Sequence, residues 1–297
     1  MDGFDLPGDL IVGDRALERA LRAAAEVSTA AISESDRHRV YFETAVAAQR
    51  GELVSSSAGG EQAKFLACVR RNGGANVSVL VKFSAAEPSP VSERWADLLC
   101  CEHLAAETLR AHGFACAATQ ILDAGGRRFL EVERFDRVAA AGRRGLITLG
   151  TVEDALAEGH FSDWVAAAVL LEQQQWMTSE DSRALRALHC FGDLIANSDM
   201  HRANASFWFG DELPFRLAPC YDMLPMAYAP GAQGDMSERA FVPRPPLDAV
   251  TEVWGEAARI AGEFWERITG ESRVSDAFRR IAEDNRAIVL GLVRRFG

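Results

Sequence analysis

The sequence predicts an α+β protein in two lobes, the first rich in strands and the second mainly helical. Two patterns carry that prediction. Up to about residue 137, short runs alternate between apolar and polar positions and are separated by Gly-rich turns. Beyond it, apolar residues recur every three or four positions over long segments. With 297 residues, 48% of them hydrophobic, the chain is long enough to build a core in each half. The Ala139-Ala140-Ala141-Gly142 run supplies a soft linker, so the expected lobes are 1–137 and 138–297.

The elements follow in order. Residues 14–49 read mostly as helix, with Ala-rich segments at 17–27 and 41–49. Ser55-Ser56-Ser57-Ala58-Gly59-Gly60 is a loop of small residues. Two strands, 64–70 and 77–83, flank the turn Asn72-Gly73-Gly74. Pro88 and Pro90 lead into a helix over 92–112, stopped by Gly113. A second hairpin pairs 119–122 with 128–133 around Gly125-Gly126. In the second lobe, helices are expected over 162–176, 181–197, 249–268 and 275–295. An irregular stretch between the middle two holds a short hairpin, 205–209 with 215–217. Trp164, Trp176, Trp254 and Trp265 fall at helical core positions, while Arg127-Arg128 and Arg143-Arg144 read as solvated faces.

Composition excludes several classes. The formal charge of −11 gives no pull toward nucleic acid or an anionic membrane, so direct DNA binding is not expected. The longest apolar run is about eight residues, far short of the roughly 20 that cross a bilayer. Residues 1–20 carry no apolar signal core, and a cytoplasmic location is expected. The six cysteines contain no CxxC pair and read as reduced thiols, and the histidines lack zinc spacing. One bias stands out. Of 32 basic residues, only Lys64 and Lys82 are lysines.

Lys82 sits in Val77-Ser78-Val79-Leu80-Val81-Lys82-Phe83, otherwise a buried strand. It could be an edge lysine reaching solvent, or a buried cation with a partner. On the following helix, Trp95, Leu98, Leu99, Glu102, Ala105, Ala106 and Leu109 share one stripe, which puts a carboxylate on a core face or at a stripe edge that reaches water. A strand lysine with a helix glutamate is how protein kinases fix a lysine against ATP phosphates. The small-residue loop ending in Lys64 could cover phosphates with its N–H groups, or be an ordinary turn. Asp199 and Asn204 have the five-residue spacing of a kinase catalytic loop, and Asp222 follows the next hairpin, where that pattern puts a Mg²⁺ ligand. Asp and Asn are also common turn residues, so the ordered set carries more than any one spacing. His201, inside the loop, reads as a brace through a side-chain hydrogen bond, or as an ordinary polar loop residue.

The segments 56–64, Val81-Lys82-Phe83, Val132-Glu133-Arg134-Phe135-Asp136-Arg137, 195–204 and 217–224 resemble the HipA family, and within it the HipA-like YjjJ branch. The family's members are serine/threonine kinases that act as toxins of type II toxin–antitoxin systems. The resemblance runs from about residue 51 to the end. It implies a bilobal, protein-kinase-like fold of the phosphatidylinositol-kinase group, and ATP and Mg²⁺ as cofactors. It implies that Ser57, Ala58, Gly59, Gly60, Lys64 and Lys82 bind phosphate with Glu102 in support, and that the backbone of Glu133 and Phe135 meets adenine. Asp199 would be the catalytic base, with His201 beside it, and Asn204 and Asp222 would hold Mg²⁺. Ser56 aligns best with the autophosphorylated serine, with Ser55 and Ser57 close by. The implied substrate is a protein of translation such as an aminoacyl-tRNA synthetase. The implied partner is a helix-turn-helix antitoxin or a separate N-terminal subdomain protein, because the chain begins partway through the family pattern. Met200 stands where Gly is frequent and Arg202 where Lys is. The rival readings are a kinase-like module without catalysis and a small-molecule or lipid kinase on the same fold.

Overall fold

A computed structural model describes residues 6–50, 62–139, 142–156, 161–231, 233–236 and 240–297. In chain order the elements are α1 (Asp14–Ala30), β1 (Ile32–Ser33), α2 (Arg37–Gln49), β2 (Lys64–Arg70), β3 (Asn76–Phe83) and α3 (Pro90–Ala111). Then come β4 (Thr119–Ala124), β5 (Arg127–Glu133), β6 (Arg137–Val138), β7 (Gly142–Arg143), β8 (Leu146–Thr148), α4 (Leu149–Leu156), α5 (Trp164–Gln173) and α6 (Ser179–Leu194). The chain finishes with β9 (Ser206–Trp208), β10 (Arg216–Leu217), α7 (Thr251–Gly270) and α8 (Asp276–Phe296). It divides into two compact units, Met1–Pro88 with Ala117–Ile147, and Ser89–Cys116 with Thr148–Gly297. These units are drawn differently from the expected lobes 1–137 and 138–297. Helix α3 packs on α7 and so groups with the helical unit, although the chain reaches it between two hairpins.

The first unit is built on a five-stranded sheet of order β1-β2-β3-β5-β4, antiparallel except for the parallel β1–β2 pair. Alternation sends Phe65 and Val69, Val79, Val81 and Phe83, Leu122 and Phe129 to one face, where Tyr41 and Ala45 of α2 cover them. The Tyr41 ring meets Phe65 and Phe129 at centroid distances of 5.5 and 5.9 Å. Each such side chain contributes about 1.5–3 kcal/mol by leaving water. A carboxylate sits at the rim of this core. Glu131 is 1% exposed, and it accepts hydrogen bonds from the Tyr41 hydroxyl (2.6 Å), Arg37 (3.1 Å) and Arg71. Burial pushes the Tyr41 hydroxyl well above its usual pKa. Arg127 is buried too, contrary to the solvated face expected for Arg127-Arg128. It donates to the Ser84 carbonyl (3.0 Å) and to Gln49 (2.6 Å) and stacks over Phe83.

In the second unit, Ser89 caps α3 through a reciprocal bond with Ser92, and Pro90 opens the first turn. Helices α5, α6, α7 and α8 pack in sequence. Phe191 meets Phe264 edge-on at 5.9 Å, and buried Trp265 donates to the Leu194 carbonyl at 3.0 Å, fixing the end of α6. Asp97, buried on α3, accepts from the Ser275 amide (2.8 Å) and hydroxyl (2.6 Å) at the start of α8. Helix α4 was not expected. It is one short helix with Gly150 in its first turn, too brief to show a periodicity. Among the described residues no helix is long and apolar enough to cross a membrane, and all six cysteines are free thiols.

Candidate active site

The first unit carries the cationic residues. Lys82 lies on β3, flanked by β2 and β5, so it is not an edge lysine; it is 7% exposed. Directly across the antiparallel pair, in register with it, stands Lys64. Opposed residues share a face, so the two lysines of the sequence stand side by side on the face away from α2. Like charges placed so are destabilising unless an anion compensates them. Ser56, Ser57, Ala58, Gly59 and Gly60, with Ser55, lie outside the described residues.

At the end of β5, the Glu133 amide donates to the Ala118 carbonyl (2.8 Å) and the Arg134 amide to Ser78 (2.9 Å). Glu133's own N–H is therefore engaged, which leaves its carbonyl as the backbone group it could present. Phe135 follows in a turn held by Asp136. That buried carboxylate accepts from Arg134 (2.7 Å), Arg137 (2.7 Å) and the Gly8 amide (2.8 Å). Burial works to raise its pKa, but the Arg134 hydrogen bond and the charges of Arg134 and Arg137 win, holding it below the usual carboxylate range.

The second unit carries the carboxylates and amides. Glu102 is 3% exposed on α3, in line with buried Leu98, Leu99, Ala105 and Leu109, as its stripe predicted. The loop after α6 is tied by side chains to its own backbone. Asn197 accepts from the Asp199 amide (3.1 Å), an Asx turn, and donates to the Asp222 carbonyl (3.4 Å). Asn204 donates to the Asp199 carbonyl (2.9 Å). His201 caps the short turn Arg202–Asn204 by accepting from the Ala203 amide (3.2 Å), and its own carbonyl accepts from the Trp164 indole (3.2 Å). Its Nε2 is 4.0 Å from the Asp199 carboxylate, so the histidine stands beside Asp199 as well as bracing the turn. Tyr221 donates to the Ala203 carbonyl at 2.7 Å. In these two loop segments Ala196, at φ 60, and Asp222, at φ 59, take left-handed backbone. Asp tolerates this conformation; Ala does so at a cost of about 1–2 kcal/mol.

Both departures from the family pattern have a physical counterpart. Met200 lies against Gly192 of α6, where any Cβ would collide with its sulfur, so the larger loop residue is matched by a glycine beneath it. Arg202 pairs with the buried carboxylate of Glu153 on α4. Sequence reading missed Asn197, which joins the Asp199 and Asp222 segments. Its signal was there: an Asn two residues before a functional Asp is an Asx turn in waiting. Cys220, read from the sequence as a reduced thiol with the other cysteines, is free and buried. Its thiol is pushed well above the usual range, first by its hydrogen bond with Cys116 and then by burial.

The donor set can be tested for Mg²⁺. Asn204 spends its amide nitrogen on Asp199, which leaves its Oδ1 as an oxygen donor, and Asp222 adds a carboxylate. Among the described residues no group of three His, Cys, Asp or Glu side chains is placed to hold a metal ion. Both are hard oxygen donors, the type Mg²⁺ takes, and Mg²⁺ needs only one or two protein groups beside phosphates and water.

A family model described as the HipA-like C-terminal domain matches residues 56–287. The chain belongs to that family. Among curated proteins it is 40% identical over 245 residues to Toxin YjjJ of Escherichia coli (strain K12), covering 82% of this chain and 55% of that protein. It thus spans about half the length of that HipA-like relative. Of solved structures, the HipA of the Shewanella oneidensis MR-1 HipA, HipB and operator DNA complex superposes with a TM-score of 0.56. The identity is 17%, over 82% of this chain and 66% of that one. The Helicobacter pylori proinflammatory kinase CtkA gives 0.51 at 12% identity, over 80% and 92%. These matches show that the α+β fold is kinase-like.

Proposed function

We propose that this chain is an ATP- and Mg²⁺-dependent serine/threonine protein kinase, a HipA-like toxin acting on a protein of translation such as an aminoacyl-tRNA synthetase. The reading is supported most by one observation. Asp199, Asn204 and Asp222 are tied into one hydrogen-bonded unit through Asn197, in a chain whose fold is kinase-like. In the reaction, Asp199 accepts the proton of the substrate hydroxyl as that oxygen attacks the γ-phosphorus. The bond from the γ-phosphorus to the bridging oxygen breaks, and ADP leaves. Lys82 and Lys64 offset phosphate charge, which also accounts for two ammonium groups opposed across one strand pair. Glu102 is assigned to support Lys82, and the Glu133 and Phe135 backbone to adenine. His201 keeps the catalytic turn in shape. Asn204 Oδ1 and Asp222 would hold Mg²⁺; when bound, it neutralises charge on the β- and γ-phosphate oxygens.

Ser56 is the proposed autophosphorylation site, and a helix-turn-helix antitoxin the proposed partner, by analogy with the HipB of the Shewanella complex. The chain is proposed to work in the cytoplasm. Incubation with γ-labelled ATP and Mg²⁺ tests the reading. Label is expected in the chain itself and in one lysate protein. Label in a low-mass product would point to a small-molecule kinase, and nucleotide binding without any transfer to a module without catalysis.

A further inference from the structure

Cys116 and Cys220 both belong to the second unit, and neither has a part in the proposed transfer. They form an isolated parallel bridge, with the Cys220 amide donating to the Ala115 carbonyl at 2.8 Å. Residues paired across a bridge carry their side chains on one face, which sets the two thiols side by side. Backbones paired in this way lie about 5 Å apart, inside the roughly 4.4–6.8 Å that a disulfide spans between Cα atoms. Access to the two sulfurs differs, since Cys116 is half-buried and Cys220 buried. Cys100 and Cys101 offer no such pair, because neighbours on a helix point about 100° apart.

We propose that Cys116 and Cys220 are a reversible dithiol–disulfide pair, oxidised by a peroxide, that controls the loop carrying Asp222. The Cys116 sulfur attacks one peroxide oxygen, the O–O bond breaks, and Cys116 becomes a sulfenic acid as one water leaves. The Cys220 sulfur then attacks the Cys116 sulfur. An S–S bond forms, the S–O bond breaks, and the hydroxide departs with the Cys220 proton as a second water. Two thiols are oxidised and one peroxide is reduced; a small dithiol reverses the change by exchange. An S–S bond of about 2.05 Å is far shorter than a contact between two free thiols, so closing it draws residue 220 toward 116. Asp222 is two residues on, in left-handed backbone that has little room to absorb the pull. Control of transfer rests on the kinase reading above; the disulfide does not.

The test treats the full chain with hydrogen peroxide, removes the excess, and maps peptides without reduction while assaying label transfer on the same sample. The expected result is an intact mass lower by about 2 Da and a peptide joining Cys116 to Cys220, absent from Cys116→Ser. Transfer falls about tenfold or more, recovers with dithiothreitol, and is insensitive to peroxide in Cys116→Ser; Cys220→Ala serves if that variant does not fold. Six free thiols after treatment, or a bridge joining other cysteines, overturns the pair. A Cys116–Cys220 bridge with unaltered transfer overturns control of Asp222. Should the reduced chain transfer no phosphate, the kinase reading fails while the peptide map still decides the disulfide. Amide exchange over residues 219–224 then decides control: slowed by oxidation it supports the proposal, unchanged it overturns it.

Discussion

The two units hold their proposed functional groups by different means. In the first, Lys82 is set on the central strand of a sheet whose other face is a packed aromatic core, rimmed by the Glu131–Arg37–Arg71 ion cluster. In the second, Asp199 and Asp222 are on loops, and amide side chains do the fixing. Strand register alone places Lys82 on its platform. The loops of the second unit instead leave regular backbone at the left-handed Ala196 and Asp222. Damage to the first unit should therefore read out as lost stability, and damage to the loops of the second as lost turnover.

The largest expected effect tests the first half of that contrast. Glu131→Ala removes the buried carboxylate that Tyr41, Arg37 and Arg71 share, leaving the two arginines only the more exposed Glu34, and should cost about 3–5 kcal/mol in urea unfolding. An effect below about 1 kcal/mol would show that the cluster is well solvated. Asn197→Ala probes the other half. Loss of the Asx turn should lower kcat by about tenfold to a hundredfold, with KM for ATP little changed and a stability loss of only about 1 kcal/mol. If stability falls as far as in Glu131→Ala, the two regions are not built differently.

Acid should separate the units as well. On α6, burial holds the His189 imidazole below its usual 6.5, and Arg244 lowers it further against the opposing pull of Asp163. The folded chain thus keeps this group neutral while the unfolded chain protonates near pH 6.5. Its stabilising contribution is intact above that pH and is lost as pH falls through the lower folded value. Melting temperature should drop between pH 7 and 5, and His189→Gln should flatten the slope. The smallest effect belongs to the opposed lysines. Lys64→Met should raise stability without nucleotide by about 0.2–1 kcal/mol and reduce the stabilisation that ATP gives.

The fold was legible where local patterns decide it. Asn72-Gly73-Gly74 between two alternating runs marks the β2–β3 hairpin, and the apolar stripe of residues 95–109 places Glu102 inside. The candidate catalytic positions were legible as an ordered set. What escaped was set by partners distant in sequence. Arg127 is buried because Ser84 and Gln49 satisfy it, and α3 joins the helical unit because α7 covers its apolar face. The two-residue β1 pairs only because β2 offers it an edge. Asn197 was readable as a turn former, but its second bond, to the Asp222 carbonyl 25 residues away, was not.

The central claim is that Asp199 takes the hydroxyl proton during phosphoryl transfer. The decisive measurement compares label incorporation from γ-labelled ATP and Mg²⁺ by the wild-type chain and by Asp199→Asn, after both show the same melting temperature. The account predicts labelled protein from the wild type and a loss of about 10²–10⁴ in rate for Asp199→Asn, with ATP binding retained. Equal labelling by the two, or none by the wild type, would contradict it.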